Sequence, residues 1–261
     1  MFSLLELYLN QFLIFVCVLT RLSGLVMTVP VLGARGAPMQ VRGLLAVAMS
    51  FIVTPLYAAT PISDPGSIIN LLVVLAREAV IGLSLGLAIN ILFSGAQLTG
   101  QLLSQLSGMS IAEAFDPAFD SSVSSFTQLL DWVAMSIFVC IGGHRQVLSA
   151  LLDTFQALPP GQGSFSSGLV DTLVEITTLS FSTGIRAAAP VMIALLLAIL
   201  VTGLISRTLP QLNVMAVGFN INAFVLLGTF AITIGAAAWV FQDQLDATLD
   251  AMAKVWEENS G

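Results

Sequence analysis

The sequence offers almost nothing an enzyme could use. Its one histidine, His144 in the turn GGHR, leaves multi-histidine metal sites and most general-base schemes without ligands or partners. It holds no Walker loop, no nucleotide fingerprint and no G-x-S-x-G nucleophile turn. Charge is scarce as well: 9% of residues are charged, against roughly 25% in an ordinary soluble domain. The eight bases are scattered singly, so no basic patch can follow a phosphate backbone and nucleic acid is excluded as a partner. Two cysteines, Cys17 and Cys140, lie far apart inside apolar runs, and each reads as a small buried hydrophobe. No Lys or Arg precedes Glu6, and no small-residue cleavage site follows the first apolar run. The N-terminus therefore reads as retained rather than as a removable signal peptide.

What is present is apolar length. Of 261 residues 57% are hydrophobic and the mean hydropathy is +0.97, which marks an all-α integral membrane protein. Apolar runs cover 4–32, 43–59, 68–93, 129–142, 187–206 and 214–241. The last two, joined through ISRTLPQLN with Pro210 as breaker, predict a helical hairpin. The runs 43–59 and 129–142 are short for a span and predict kinked hairpins dipping into an assembly. Arg35 and Arg42 are assigned to one loop, whose charge favours a cytoplasmic first loop. The segment PPGQGSFSSG at 159–168 reads as a linker. The chain is expected to be one membrane-associated domain over 1–261. Its N-terminal hairpins run through 158 with a central loop at 108–120, and 169–261 form a C-terminal hairpin with an acidic amphipathic tail. In that tail Leu245, Leu249, Met252 and Trp256 share one face.

Polar residues gather between the two apolar halves. Asn90, Ser94, Gln97, Gln101, Ser104 and Gly108 are spaced four, three, four, three and four, which places them on one stripe of a helix. Uncharged amides and hydroxyls suit a wall that meets water or a sliding chain without gripping it; a solvated or helix-packing face fits the spacing equally well. GMSIAEAFDPAFDSS follows, with apolar Met109, Ile111, Phe115 and Phe119 among Glu113, Asp116 and Asp120, and Pro117 as helix breaker. Met and Phe can fill and reversibly close a passage. On spacing alone an anchored surface loop is the stronger reading, with Asp120 or Ser121 capping the next helix. The three acids match no standard cation loop, and neither metal nor cofactor is expected.

Arg77 and Glu78 interrupt the run 68–93. Neighbours in a helix point about 100° apart, so each needs a partner of its own. Glu78, Gly82 and Gly86 step by four, and the G-x-x-x-G pair permits another helix to approach closely. Arg77, Glu78, Gly82 and Gly86 are accordingly assigned to a subunit interface, with a proton relay as the alternative.

Four segments together resemble the FliR/SctT family of type III secretion export-gate proteins, over nearly the whole chain. They are RLSGLVMTVPVLGARGAPMQVR at 21–42, GMSIAEAFDP at 108–117, GGHRQVLSALLDTFQALPPG at 142–161 and ISRTLPQLNVMAVGFNIN at 205–222, and the last three look more like the flagellar branch. The resemblance implies a non-enzymatic channel subunit that joins FliP-like and FliQ-like subunits and other export components. Such a subunit belongs to a helical hetero-oligomeric gate in the bacterial inner membrane, at the flagellar basal body. It implies that Gly108, Met109, Ser110, Ile111, Phe115, Asp116 and Pro117 belong to a plug. It further implies that Asn90, Ser94, Gln97, Gln101 and Ser104 line the lumen for unfolded flagellar proteins. The rival reading is a stand-alone ion or small-solute transporter using Arg77 and Glu78.

Overall fold

A computed structural model describes residues 2–30, 38–58, 67–110, 124–163, 168–208 and 214–258, with side chains from Tyr8 and, in the last segment, from Val217. Every regular element among them is helical: α1 (Phe2–Thr28), α2 (Met39–Val53) with a 3-10 turn (Thr54–Tyr57), α3 (Ile68–Ser107), α4 (Ser125–Cys140), α5 (Gly143–Ala157), α6 (Gly168–Thr208) and α7 (Val214–Glu258). Five helices are long and apolar enough to cross a membrane, and a sixth span results if α4 and α5, bent by 65°, are taken together.

Proline and glycine set the helix ends. Pro30 forces Val29 away from helical geometry and ends α1, and Pro159 does the same to Leu158 after α5. Pro55 has no N–H to continue the ladder of α2, so the last turn tightens to 3-10. Gly142, at φ +75°, makes the bend between α4 and α5 in a conformation that costs side-chain-bearing residues. The N-cap of α4 is Ser124, whose Oγ accepts from the Thr127 N–H at 3.4 Å; it replaces the cap expected at Asp120 or Ser121.

Three helices outrun the apolar runs that announced them. α3 carries the polar stripe as an unbroken continuation of 68–93. α6 extends 19 residues upstream of 187, and α7 absorbs the acidic amphipathic segment into one helix of 45 residues. Gln, Ser and Asp interrupt hydropathy but not the helix, because they keep the N–H that Pro lacks. Arg42 stands in the first turn of α2 rather than in a loop, while Arg35 lies outside the described residues. Cys17 is buried as expected, but Cys140 is exposed, since the last turn of α4 turns it outward.

The described residues form two compact units. The first comprises Met1–Ile91, Gly142–Thr177 and Leu245–Gly261, and so contains the linker at 159–168. Its core includes Ile14, Leu22, Ile81, Leu85, Phe155 and Met252. Along the end of α7, Leu245, Thr248, Met252, Val255 and Trp256 are buried, Leu249 is half-buried, and Asp246, Asp250 and Glu257 are exposed. The second unit comprises Leu92–Ile141 and Thr178–Gln244, with Leu103, Phe126, Leu130, Val191, Leu195 and Leu226 in one cluster.

Candidate functional site

Within the first unit, the acid that needed a partner has one. Glu78 on α3 and Arg21 on α1 are both fully buried, and Arg21 Nε donates to Glu78 Oε2 at 2.6 Å. The remaining guanidinium donors reach the end of α5. Nη1 donates to the Thr154 carbonyl (3.1 Å), to Thr154 Oγ1 (3.2 Å) and to the Leu158 carbonyl (3.0 Å), and Nη2 also donates to Leu158 (3.0 Å). Carbonyls at a helix C-terminus lack helical donors and carry partial negative charge, so a buried guanidinium there finds both hydrogen bonds and field. The ring of Phe155 lies 4.2 Å beneath the cation and packs in turn, tilted by 37°, against Tyr57 at 5.5 Å between centroids.

Glu78 uses its second oxygen on the backbone. Oε1 accepts from the Gly161 N–H at 2.8 Å, and Gly161 sits at φ +85° in the turn after Pro159 and Pro160. Isolated, each of these ions would cost several kcal/mol to bury; here every formal charge meets an opposite charge or an array of hydrogen bonds. Arg21 and Glu78 thereby tie α1, α3 and the turn after α5 into one joint.

The glycines beside this joint serve the same contact. A Cβ on Gly82 would collide with the Arg21 backbone, one on Gly86 with the Thr28 side chain, and one on Gly24 would lie 2.9 Å from the Leu83 nitrogen. The helix that Gly82 and Gly86 admit is α1 of the same chain, so Glu78, Gly82 and Gly86 make their contacts internally. Arg77 is exposed and makes no hydrogen bond or ion pair among the described residues. Arg21 escaped sequence reasoning because it stands 57 residues from Glu78 inside another apolar helix. The signal was a lone base in a run that otherwise reads as a span.

The stripe on α3 divides. In the second unit Gln97 Nε2 donates to Asp131 Oδ1 of α4 at 2.9 Å, and buried Ser104 accepts from Ser124 Oγ at 2.6 Å. Gln101 and Gln105 are exposed, as is Asn90 in the first unit, and Ser94 is half-buried. Asp131 was not foreseen, although a lone carboxylate in SFTQLLDWVAMSIFVC is the kind of residue an apolar helix retains for a reason. The α3–α6 contact is again glycine-made: a Cβ on Gly184 would lie 2.5 Å from the Gly95 carbonyl oxygen, and Thr99 Oγ1 donates to the Gly184 carbonyl at 2.8 Å.

At the end of the stripe, Gly108 takes φ +80° and ends α3, after which Met109 and Ser110 resume helical backbone and Met109 packs against the Leu103 cluster. Ile111, Phe115, Asp116 and Pro117, with Glu113 and Asp120, lie outside the described residues. The stems on either side are joined by the Ser104–Ser124 hydrogen bond and by Leu103, Phe126 and Leu130 in one cluster. Among the described residues, no three His, Cys, Asp or Glu side chains gather where they could hold a metal ion.

Comparison with known proteins places these features. Residues 12–248 match the family described as bacterial export proteins, family 1. The chain is similar to the flagellar biosynthetic protein FliR of Escherichia coli, 29% identical over 82% of this chain and 81% of the relative. FliR of Pectobacterium carotovorum is 27% identical over 90% of this chain and 91% of the relative, and FliR of Caulobacter vibrioides 24% over 89% and 93%. With the match running from the middle of α1 almost to the end of α7, the chain belongs to the FliR family of bacterial export proteins.

Proposed function

We propose that this chain is a subunit of the flagellar export apparatus in the bacterial inner membrane at the basal body. In this reading it joins FliP-like and FliQ-like subunits in a channel for unfolded flagellar proteins and performs no catalysis itself. The exposed amides Asn90 and Gln101 belong to the lumen wall, with Ser94, Gln97 and Ser104 along the same helix. The segment from Gly108 through Pro117 closes the path. Arg77, exposed and without an ion pair among the described residues, faces a neighbouring subunit.

One observation carries the closure: the 2.6 Å hydrogen bond between Ser104 and Ser124 pins together the two stems that flank residues 108–123. The sequence between those stems supplies Met and Phe side chains, which can fill a passage and withdraw from it. Membership of an export family supplies the passage.

The test is deletion of residues 109–117 in the complex purified from its native cells. Reconstituted in vesicles, the deleted complex is expected to conduct small ions well above the intact one while retaining its subunit composition. Conductance unchanged from the intact complex refutes the closing role. A chain recovered alone or as a homodimer, before any deletion, refutes the gate reading itself.

A further inference from the structure

From Ala79 to Ser107, α3 holds no charged residue, and within the second unit the exposed positions of this helix are Gln101 and Gln105. Neither carboxamide makes a hydrogen bond among the described residues. Leu98, Leu102 and Leu106 beside them are half-buried, while Leu103 and Ser104 are buried. With Gln97 the two glutamines form a row at steps of four, and helix geometry fixes where the row points. Four residues of helix make about 400°, so each step turns the row about 40° around the axis. Gln97 starts it on the α4 side, where Asp131 Oδ1 accepts from Gln97 Nε2 at 2.9 Å. Ser104 lies about 20° from Gln97 in the opposite sense and is likewise spent on α4, through Ser124. Gln101 and Gln105 therefore swing progressively away from α4, in agreement with their exposure.

An open carboxamide restricts what can cover it. Lipid or an apolar helix face would leave its donors and acceptor unpaired, at a cost in free energy. The backbone of a neighbouring helix offers nothing in return, because its N–H and C=O groups are paired within that helix. An extended chain differs, since both its edges carry unpaired N–H and C=O groups. On one edge these groups recur at every second residue, about 6.7 Å at the rise of a strand. Gln101 and Gln105 stand about 6 Å apart along the α3 axis. Two carboxamides at that step, each with donors and an acceptor, match two successive peptide pairs on one edge. The lack of charge completes the fit: a charged side chain would hold cargo of one sign, whereas a carboxamide meets the peptide group that all residues share.

We propose that Gln101 and Gln105 form a two-rung ladder that hydrogen-bonds the backbone of an extended export cargo regardless of its sequence, with Asp131 and Ser124 as positioning residues that turn the ladder outward. The inference rests on the export-channel reading above. It adds Gln105 to the cargo-facing surface and assigns Gln97 and Ser104 to holding α4. A chain that advances by two residues meets the same two rungs again. Each contact exchanges readily with water, so the ladder guides the chain without holding it.

The test uses the assembled complex in its native cells, with the photo-crosslinker benzoylphenylalanine replacing Gln101 or Gln105 singly. Export is arrested with a cargo that ends in a tightly folded domain, and the complex is then purified. Crosslinks to the arrested cargo are expected from both positions. Crosslinks to membrane subunits alone, in a complex that retains the cargo, overturn the ladder and leave the channel reading standing. A complex from which the arrested cargo is absent overturns both. With the crosslinker at Gln101, Gln105→Leu is expected to lower the cargo yield about two- to tenfold, the equivalent of one neutral hydrogen bond, and Gln105→Asn to restore part of it. Cargo stretches of serine and of lysine held at the site are expected to give equal yields, and a stretch of proline, which has no N–H, a lower one. A yield unchanged by Gln105→Leu, one that follows the charge of the cargo, or one undiminished for proline overturns the proposal. Should the crosslinker at Gln101 disturb assembly, half-buried Leu98, about one turn away, carries it instead.

Discussion

Replacing Arg21 with Met is the perturbation whose cost the structure specifies best. The substitution leaves Glu78, 0% exposed, with the Gly161 N–H as its one remaining donor shown here. Removing one member of a buried pair costs about 3–5 kcal/mol, because the other charge stays buried and uncompensated. Glu78→Gln is milder. Arg21 then keeps the Thr154 and Leu158 carbonyls and the Phe155 ring, while the new amide oxygen still accepts from Gly161, so about 1.5–3 kcal/mol is lost, the worth of a hydrogen bond to a charged group. In the double variant Arg21→Met/Glu78→Gln no ion remains buried at the joint, and its cost falls below the sum of the single costs by about 2 kcal/mol. Unfolding free energies in mixed micelles, followed by the fluorescence of buried Trp256, measure all three. Arg21→Met costing no more than Glu78→Gln, or costs additive to within about 0.5 kcal/mol, would refute the reasoning.

Two further outcomes follow from packing. Gly82→Ala pushes a methyl group into the Arg21 backbone and is expected to cost about 1–3 kcal/mol by the same unfolding assay, whereas Gly203→Ala, with open space around it in a helix, is neutral or gains up to about 1 kcal/mol. Reversal of that order would remove the glycine contact from the account. A small maleimide applied to the folded protein modifies Cys140 at most, and Cys17 reacts only on unfolding; intact mass after limited exposure reads this, and early labelling of Cys17 contradicts its burial.

Periodicity located the helices because hydrophobic spacing is a property of one helix at a time. It placed Asn90 through Ser104 on one stripe, yet it could not say that Gln97 and Ser104 would be spent on α4 while Gln101 stayed open, because that depends on which helix lies beside α3. The need of Glu78 for a partner was legible, since Arg77 cannot reach it from the adjacent position; the identity of Arg21 was not, since no local rule links residues 57 apart. The glycines read correctly as a close approach, and only the tertiary fold says that the approaching helix is α1. Family likeness supplied what residue spacing could not, membership of a family of bacterial export proteins.

The Arg21 joint also orders events in time. The carbonyl of Leu158 that holds the guanidinium lies 137 residues downstream, and translation at about 5–20 residues per second makes that partner roughly 7–27 s after Arg21 itself. Throughout that interval α1 carries a cation whose native surroundings do not yet exist. α1 is therefore made well before it can be locked, and a ribosome stalled before Leu158 leaves Arg21 without the carbonyl that holds its guanidinium.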